Sequence, residues 1–568
     1  MSLFGSIQMA GNTLQANDIG LQVVGQNIAN ANTPGYIREK LNLTPGATQQ
    51  IGGLAIGTGV QVQSISQEID KYLEARLRSA GGDKASADTL QQTYSDLESA
   101  VGALNSSNNL DTALNQFFSS ISNVMNQPES VSVRNLAVIQ GQTLARSINN
   151  LYGQANQLRA SVNDQIGGMA ADINTLINKI AKLNTQIVQF QANTSSGGSA
   201  AVGLTDQRQQ ALSDLSGLVG IRTVEQPDGS MAVYTGGDYL VYEGYSRQVQ
   251  VTNSVDRGLT VSNLQISEIN TALDPSSGQL HGLLASRDQV LGGFQDQLDH
   301  LAGALAGEFN KVYSGGQGLT GYTQITGTSA VADTNLALDD PQNGLSPTPV
   351  NGSFQIIVSN TKTGTSVTTD VPVQLLGTGH STTLADLRDA VNHIAGLHAD
   401  TTGNRLSITS TDPNSQFAFG ADTSGALAAL GVNTFFTGAT ATGLGVNAVV
   451  VNDPGKFAAS QGGVAADTAN ATILANFRDR PLASQGGDSI GGKYSSLING
   501  VTQGSASAQA TASAADTYQT ALANQETATS GVSIDEETVQ MLAYQRSYQA
   551  SAKYISTLND LLDTLVQL

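Results

Sequence analysis

The sequence contains no cysteine. Disulfides, thiolate zinc sites and cysteine nucleophiles are therefore all excluded. Charge is scarce as well: Asp, Glu, Lys and Arg make up 13% of the 568 residues, against roughly a quarter in an average soluble domain. It also leans one way, 26 Lys and Arg against 46 Asp and Glu, for a net charge of −20. Neutralising phosphates needs a concentrated cationic surface, and no basic cluster is present, so neither nucleic acid nor an anionic membrane is an expected partner. Long apolar runs are missing too. The most hydrophobic stretches are broken by Asp, Asn or Gln, as in the C-terminal LNDLLDTLVQL with Asp560 and Asp563, so no membrane insertion is expected. The N-terminal MSLFGSIQMAGNTLQANDIG lacks a continuous apolar core, and no basic residue precedes Arg38, so it does not read as a cleavable signal peptide.

Small neutral residues (Ala, Gly, Ser, Thr, Asn and Gln) take the place of the missing charge. Such a surface costs little to desolvate and suits packing of copies against one another. The chain is too long for one core, and its length predicts roughly two to four domains.

The clearest pattern lies at the two ends. Ile7, Leu14, Leu21 and Ile28 recur every seventh residue, beside a second stripe of Leu3, Ala10, Asn17 and Val24 with a polar break at Asn17. A heptad of this kind asks for a partner helix along one seam. It stops at Pro34, and Pro34-Gly35 reads as the centre of a type II turn. At the other end Ile534, Met541, Tyr548, Ile555 and Leu562 repeat with the same spacing, beside Tyr544, Leu558 and Leu565. Ser533 and Glu536 read as a capping box, with Asp535, Glu536 and Glu537 at the positive end of the helix dipole.

Between the ends, residues 80–215 read as helical. Ile166, Ile173, Ile180 and Ile187 form one stripe, and Met169, Leu176, Leu183 and Phe190 another. A loop is expected over the polar stretch NTSSGGS, residues 193–199. Short strands follow at 221–225, 231–234 and 239–242, with Pro227-Asp228-Gly229 as a turn. A further helix is expected from Leu280 to Tyr313. From 321 the texture turns rich in Gly, Thr and Ser, with strands at 353–358, 366–376 and 405–409 and a helix over 384–394 capped by Thr382. Helices are expected again over 465–477 and 506–529.

The fold class read from this is mainly α with an inserted β-rich module: an elongated multidomain axial protein whose N- and C-terminal helices pair as a coiled coil. Three domains are expected. Residues 1–75 with 530–568 form a terminal helical assembly domain. Residues 76–320 with 455–529 form a helical bundle with a small β-hairpin region near 219–250. Residues 321–454 form an outer α+β module.

Catalytic constellations fail one by one. Gly487-Asp488-Ser489-Ile490-Gly491 matches a nucleophile elbow, but no strand precedes it and no histidine follows His398. Gly487, Gly492 and Lys493 imitate a phosphate loop, yet Tyr494 stands where Ser or Thr should bind magnesium. The histidines are His281, His300, His380, His393 and His398, and none pairs with another at the i, i+4 spacing of a zinc helix. No catalytic, cofactor-binding or metal residue is read from the sequence, and no enzyme is expected.

Two terminal segments carry a family resemblance. NIANANTPGY, from Asn27 to Tyr36, resembles the motif shared by rod, hook and hook-associated proteins of the bacterial flagellum, with Asn27, Asn30, Asn32, Thr33, Pro34, Gly35 and Tyr36 on the turn. Its usual Ser-x-Asn lead-in reads here Gly25-Gln26-Asn27. SGVSIDEETVQMLAYQRSYQASAKYISTLNDLLDTL, from Ser530 to Leu565, resembles the same group's C-terminal signature. Interior blocks at 204–241, 278–312 and 465–479 resemble the hook-associated protein 1 (FlgK) family, and Leu384–Ile394 with Leu427–Gly431 resembles the outer module of some members.

That resemblance implies a structural ring at the hook–filament junction, needed for filament assembly and motility. The implied partners are further copies of the chain in a homo-oligomeric ring, hook protein on one side, hook-associated protein 3 and the filament on the other, and a flagellar export chaperone. It implies an extracellular location on the flagellum, reached through flagellar type III secretion without a cleaved signal. The assembly interface is then expected at Ile7, Leu14, Leu21, Val24 and Ile28 on the first helix, and at Ile534, Met541, Tyr548, Ile555, Leu558, Leu562 and Leu565 on the last. The seams are expected to pair with each other and with neighbouring copies; in a free copy much of this surface would lack a partner, so mobile ends that order on assembly are expected. A hook or distal-rod subunit is the alternative within the superfamily; an extracellular adhesin or hydrolase on a helical stalk is the alternative outside it.

Overall fold

The computed structural model describes residues 3–33, 36–51, 54–102, 109–193, 201–375 and 381–566. Long helices joined by small antiparallel sheets make up the chain, in agreement with the mainly helical class with β-rich insertions. It divides into two compact units, one of Met1–Gln92, Ser161–Arg287 and Ser507–Leu568, the other of Thr93–Ala160 and Asp288–Ala506.

In the first unit the N-terminal helix, Leu3–Asn30, ends where the motif begins. Strand Glu39–Pro45 then pairs antiparallel with Val60–Gln67, and between them lies the hairpin Thr48–Ile51 with Leu54–Gly57. These strands are not foreseen in the sequence reading, although Leu41-Asn42-Leu43 and Val60-Gln61-Val62-Gln63 alternate, because each run holds only two or three apolar residues. The C-terminal helix runs from Ile534 to Val566, close to its expected span. The 63-residue helix Val131–Asn193 supplies the unit's core in its second half: Ile166, Ile173 and Ile180 are fully buried and Ile187 nearly so. The companion stripe frays at its end, where Phe190 is exposed. Of the loop expected at 193–199, Asn193 still belongs to the helix and the rest lies outside the described residues.

Four strands from Arg222 to Ser246 form a meander, and Asp228 and Gly229 turn it as expected. Gly229 sits at φ 81°, and the Asp228 carboxylate accepts from the Ser230 backbone N–H at 2.9 Å. A second hairpin, Val249–Asp256 with Leu259–Ile266, had no clear turn signal, since Arg257-Gly258 is an uncommon pair for a left-handed turn.

Asparagine side chains tie the long helix to these strands. Asn184, fully buried, donates to the carbonyls of Met231 (2.9 Å) and Glu243 (2.7 Å) and accepts from the Met231 N–H (3.0 Å) and the Arg208 guanidinium (3.0 Å). Asn174 does the same with both backbone groups of Val249, each at 2.8 Å. Asn163 accepts from the Ser262 N–H at 2.6 Å and donates to the Thr260 carbonyl at 3.3 Å. A primary amide has the donor and acceptor of a peptide, so each of these stands in for a missing neighbouring strand.

The second unit centres on aromatic rings. Phe117, Phe309, Tyr313, Phe435, Phe436 and Phe457 are fully buried and pack edge to face or tilted, with Phe309 and Tyr313 stacked, at 4.8–6.0 Å for the pairs among them. The expected helix from Leu280 to Tyr313 is present, but a six-residue π segment, Ser286–Leu291, interrupts it. The α+β part has two three-stranded antiparallel sheets and the helix Leu384–Asn392. Its capping box uses Thr383 with Asp386 rather than Thr382, because the Thr382 side chain instead accepts from the Gln374 N–H at 2.9 Å. The helix expected from Ala506 starts earlier, at Ile490.

Replacing Asn184 with Ala removes all four of its bonds and takes a partner from three backbone groups of Met231 and Glu243 and from the buried Arg208. We expect a loss of about 3–5 kcal/mol in urea unfolding. A loss below about 1 kcal/mol would contradict the clamp.

Candidate assembly interface

The motif residues build a polar lock between the chain's two ends. Asn27 points inward from the last turn of the N-terminal helix and is 1% exposed. Its amide donates to the Glu39 carbonyl at 2.9 Å and to the Glu537 carboxylate at 3.0 Å. Its oxygen accepts from the Glu39 N–H at 3.0 Å and from the Tyr36 hydroxyl at 2.8 Å. Every hydrogen-bonding position of the amide is filled.

Glu537 is 1% exposed and lies in the first turn of the C-terminal helix. Its second oxygen accepts from Arg38 Nε at 2.8 Å, and a further Arg38 nitrogen reaches Glu536 at 2.9 Å. The Arg38 backbone joins the same point: its N–H donates to the Ser530 carbonyl, and its carbonyl accepts from the Glu68 N–H, each at 3.0 Å. A buried carboxylate is tolerated because two donors compensate its lost hydration. Glu536 is largely exposed, so its contact contributes little. The expected capping box is half present. Ser533 accepts from the Glu536 N–H at 3.4 Å, but the Glu536 carboxylate is turned to Arg38.

Electrostatics around the lock follow from burial. Burial, with the nearby charges of Glu39, Asp206 and Glu537, pushes the Tyr36 phenol well up, so it remains a donor. Burial also raises Glu39. Asp206, half-buried and bonded to the Gln67 amide, is pushed up to about 6 by burial, opposed by that bond and aided by Glu39.

The two terminal helices lie side by side and run antiparallel: Asn17 meets Ser547 at 2.9 Å, Gly20 meets the Tyr544 ring, and Asn27 meets Glu537. The buried residues of the first helix are Ser6, Ala10, Ala16, Asn17, Gly20, Val23, Val24 and Asn27. Thus the second heptad stripe faces the partner, and Ile7, Leu14, Leu21 and Ile28 are half-buried on its flank. Val24 is fully buried, as expected for a seam residue. On the last helix Leu558 is buried and Met541, Ile555 and Leu562 are half-buried, whereas Ile534 and Tyr548 are 51% and 41% exposed.

In the turn, Asn30 and Tyr36 are half-buried, Asn32 and Thr33 exposed, and Tyr36 N–H closes onto the Thr33 carbonyl at 3.2 Å. Pro34, Gly35 and the Leu565 side chain lie outside the described residues. The seams thus find a partner within one chain, unlike the unpartnered ends expected from sequence. What the last helix leaves open is its other side, where Val539 is 67%, Leu542 47% and Leu561 52% exposed.

Arg38, Glu537 and Gly20 are seam residues that sequence reasoning missed, whereas Tyr544 was read on the stripe beside the C-terminal heptad. Glu537 was read as helix-end charge, although 537, 541, 544 and 548 follow one face and could have placed it on the seam. A groove of about 510 Å³ opens beside the lock, lined by Val24, Arg38, Leu41, Gln540 and Tyr544 among others.

The catalytic look-alikes have structural roles. Ser489 caps the helix that starts at Ile490, its hydroxyl accepting from the Gly492 N–H at 3.0 Å. His281 and His393 lie 3.0 and 2.7 Å from backbone carbonyls, and His380 lies outside the described residues. Among the described residues no group of three or more His, Asp or Glu is placed to hold a metal.

Comparison with known proteins matches three segments to family models. Residues 94–328 match the helical domain of flagellar hook-associated protein FlgK. Residues 524–568 match the C-terminal segment of the flagellar basal body rod FlgEFG proteins, and residues 7–36 match the flagella basal body rod protein family. Flagellar hook-associated protein 1 of Escherichia coli K12 is 24% identical over 588 residues, covering 99% of both chains. The protein of the same name from Salmonella typhimurium is 25% identical with the same coverage, and that of Bacillus subtilis is 23% identical, covering 100% of this chain and 98% of its own. A solved structure of the flagellar hook junction protein FlgK from Burkholderia pseudomallei is 18% identical with a TM-score of 0.49, covering 80% of this chain and 99% of that one.

Two substitutions test the lock. Asn27→Asp should destabilise the terminal pair more than Asn27→Ala at pH 7, because it sets a second carboxylate against Glu537 and the Glu39 carbonyl. With Ala costing about 2–4 kcal/mol, limited proteolysis of the ends reads the order, and an Asp variant as resistant as the Ala variant would contradict it. Asp206 holds its proton more tightly folded than unfolded. The stability this gives is therefore complete below the ordinary carboxyl value of 3.8 and is lost as pH rises through about 6. Asp206→Asn should raise stability at pH 7.5 by about 1 kcal/mol after solvent screening, and hardly at all at pH 3.5. Equal gains at both pH values in thermal melts would refute this.

Proposed function

The chain belongs to the FlgK family of flagellar hook-associated proteins, and from that membership we propose that it forms the ring joining hook to filament. Its role as a structural component of the flagellar hook region follows from the family. The finer reading is that copies assemble into a homo-oligomeric ring, with hook protein on one side and hook-associated protein 3 and the filament on the other. The ring is needed for filament assembly and motility and carries out no catalysis. Export proceeds through the flagellar type III apparatus with the help of a chaperone, without a cleaved signal, and places the protein outside the cell. Residues 1–75 with 530–568 serve assembly, 76–320 with 455–529 form the supporting helical body, and 321–454 form an outer module.

One observation carries this reading. The terminal helices satisfy their seam within the chain through the Asn27–Glu537–Arg38 lock, yet the last helix keeps Val539, Leu542 and Leu561 in solvent. Apolar side chains on the open side of an already paired helix favour burial against a neighbouring subunit. The match of residues 94–328 to the FlgK helical domain favours the hook-associated reading over a hook or distal-rod subunit.

Substituting Asp for both Val539 and Leu542 puts charge on that open side without touching the seam. In a strain lacking the native gene, the variant should keep its circular dichroism and melting temperature but fail to restore motility, with flagellin released unattached into the medium. Normal filaments on such cells would refute the reading.

A further inference from the structure

The buried face of the N-terminal helix is mostly small or polar: Ser6, Ala10, Ala16, Asn17, Gly20 and Asn27, with Val23 and Val24 its larger apolar members. A row of this kind specifies register weakly, because a slip by one heptad sets similar groups against one another. One seam position differs. At Gly20, which is buried in the middle of the helix, an added Cβ would stand 2.8 Å from two atoms of the Tyr544 ring and 2.9 Å from a third. Glycine inside a helix costs about 1 kcal/mol relative to Ala, and the space it leaves is filled by that ring.

We propose that Gly20 and Tyr544 form a register key, which admits one alignment of the two terminal helices and rejects its heptad neighbours. Slipping one way brings Tyr544 against Thr13 and Glu537 against Gly20. Slipping the other way brings Tyr544 against Asn27 and carries Glu537 past the helix end at Asn30. Each slip forces the ring onto a side chain and strips the buried Glu537 carboxylate of Asn27 and Arg38. Only the observed alignment also sets Asn17 against Ser547. The key gives every copy the same offset between its two ends. The value of that offset to a repeating ring rests on the reading above, whereas the key itself needs no partner.

The absence of native cysteine makes the test direct. In the whole 568-residue chain, the pair Asn17→Cys and Ser547→Cys reports the observed register by oxidative cross-linking. Ala10→Cys or Val24→Cys with Ser547→Cys reports the two slipped registers. Added to these pairs, Gly20→Val should lower the 17–547 cross-link by roughly tenfold, as overpacking predicts, and Gly20→Val with Tyr544→Ala should restore it. Unchanged 17–547 cross-linking in Gly20→Val overturns the key. If Gly20→Val abolishes every cross-link, the double variant decides: recovery supports the key, and no recovery overturns it. Because the readout is made on the isolated chain, failure here leaves the junction reading intact, and failure of the motility test leaves the key intact.

Discussion

A single buried carboxylate joins the two ends of this chain. Glu537 and Asn27 are 510 positions apart in sequence, yet they share a hydrogen bond from which water is excluded. Closing so long a loop costs chain entropy, and the apolar content of the seam is too small to set its geometry. Directional groups do that work. The Asn27 amide reads the backbone of Glu39 and the side chain of Glu537 together, and Arg38 holds the opposite oxygen. Removing any one of them leaves another buried and unpartnered, so strand, turn and both helices depend on one another.

The same device recurs elsewhere. Asn163, Asn174 and Asn184 pin strands to the long helix, and Asn392 pairs with both backbone groups of Ala399 in the α+β part. Small sheets with few strands leave many backbone groups without a ladder partner, and amide side chains supply what further strands would. A chain poor in charge but rich in asparagine can thus build many short sheets against helices.

Much of the fold was legible because heptads and isoleucine stripes survive in a single sequence. Ile166 to Ile187 point into the core as their spacing requires. The limits of the C-terminal helix were legible from Ser533 and its acidic first turn. The strands between Glu39 and Gln67 were not, since Leu41, Leu43, Val60 and Val62 alternate with polar residues only over very short runs. The lock was half visible: the motif marked Asn27 and Tyr36, but their partner is acidic, and an acidic residue at a helix start reads as a cap until a structure shows it buried. The terminal seam was placed one stripe off, because large residues draw attention while a close antiparallel pair prefers small ones facing it.

The central claim is that the two ends form one cooperative element before any neighbour arrives. Hydrogen exchange on the free chain carrying Glu537→Ala tests it most directly. Cooperative pairing requires that protection fall by a similar factor over residues 10–28 and over residues 537–558, although the substitution lies in only one of them. Loss confined to the C-terminal segment, with residues 10–28 exchanging as in the unsubstituted chain, would contradict it.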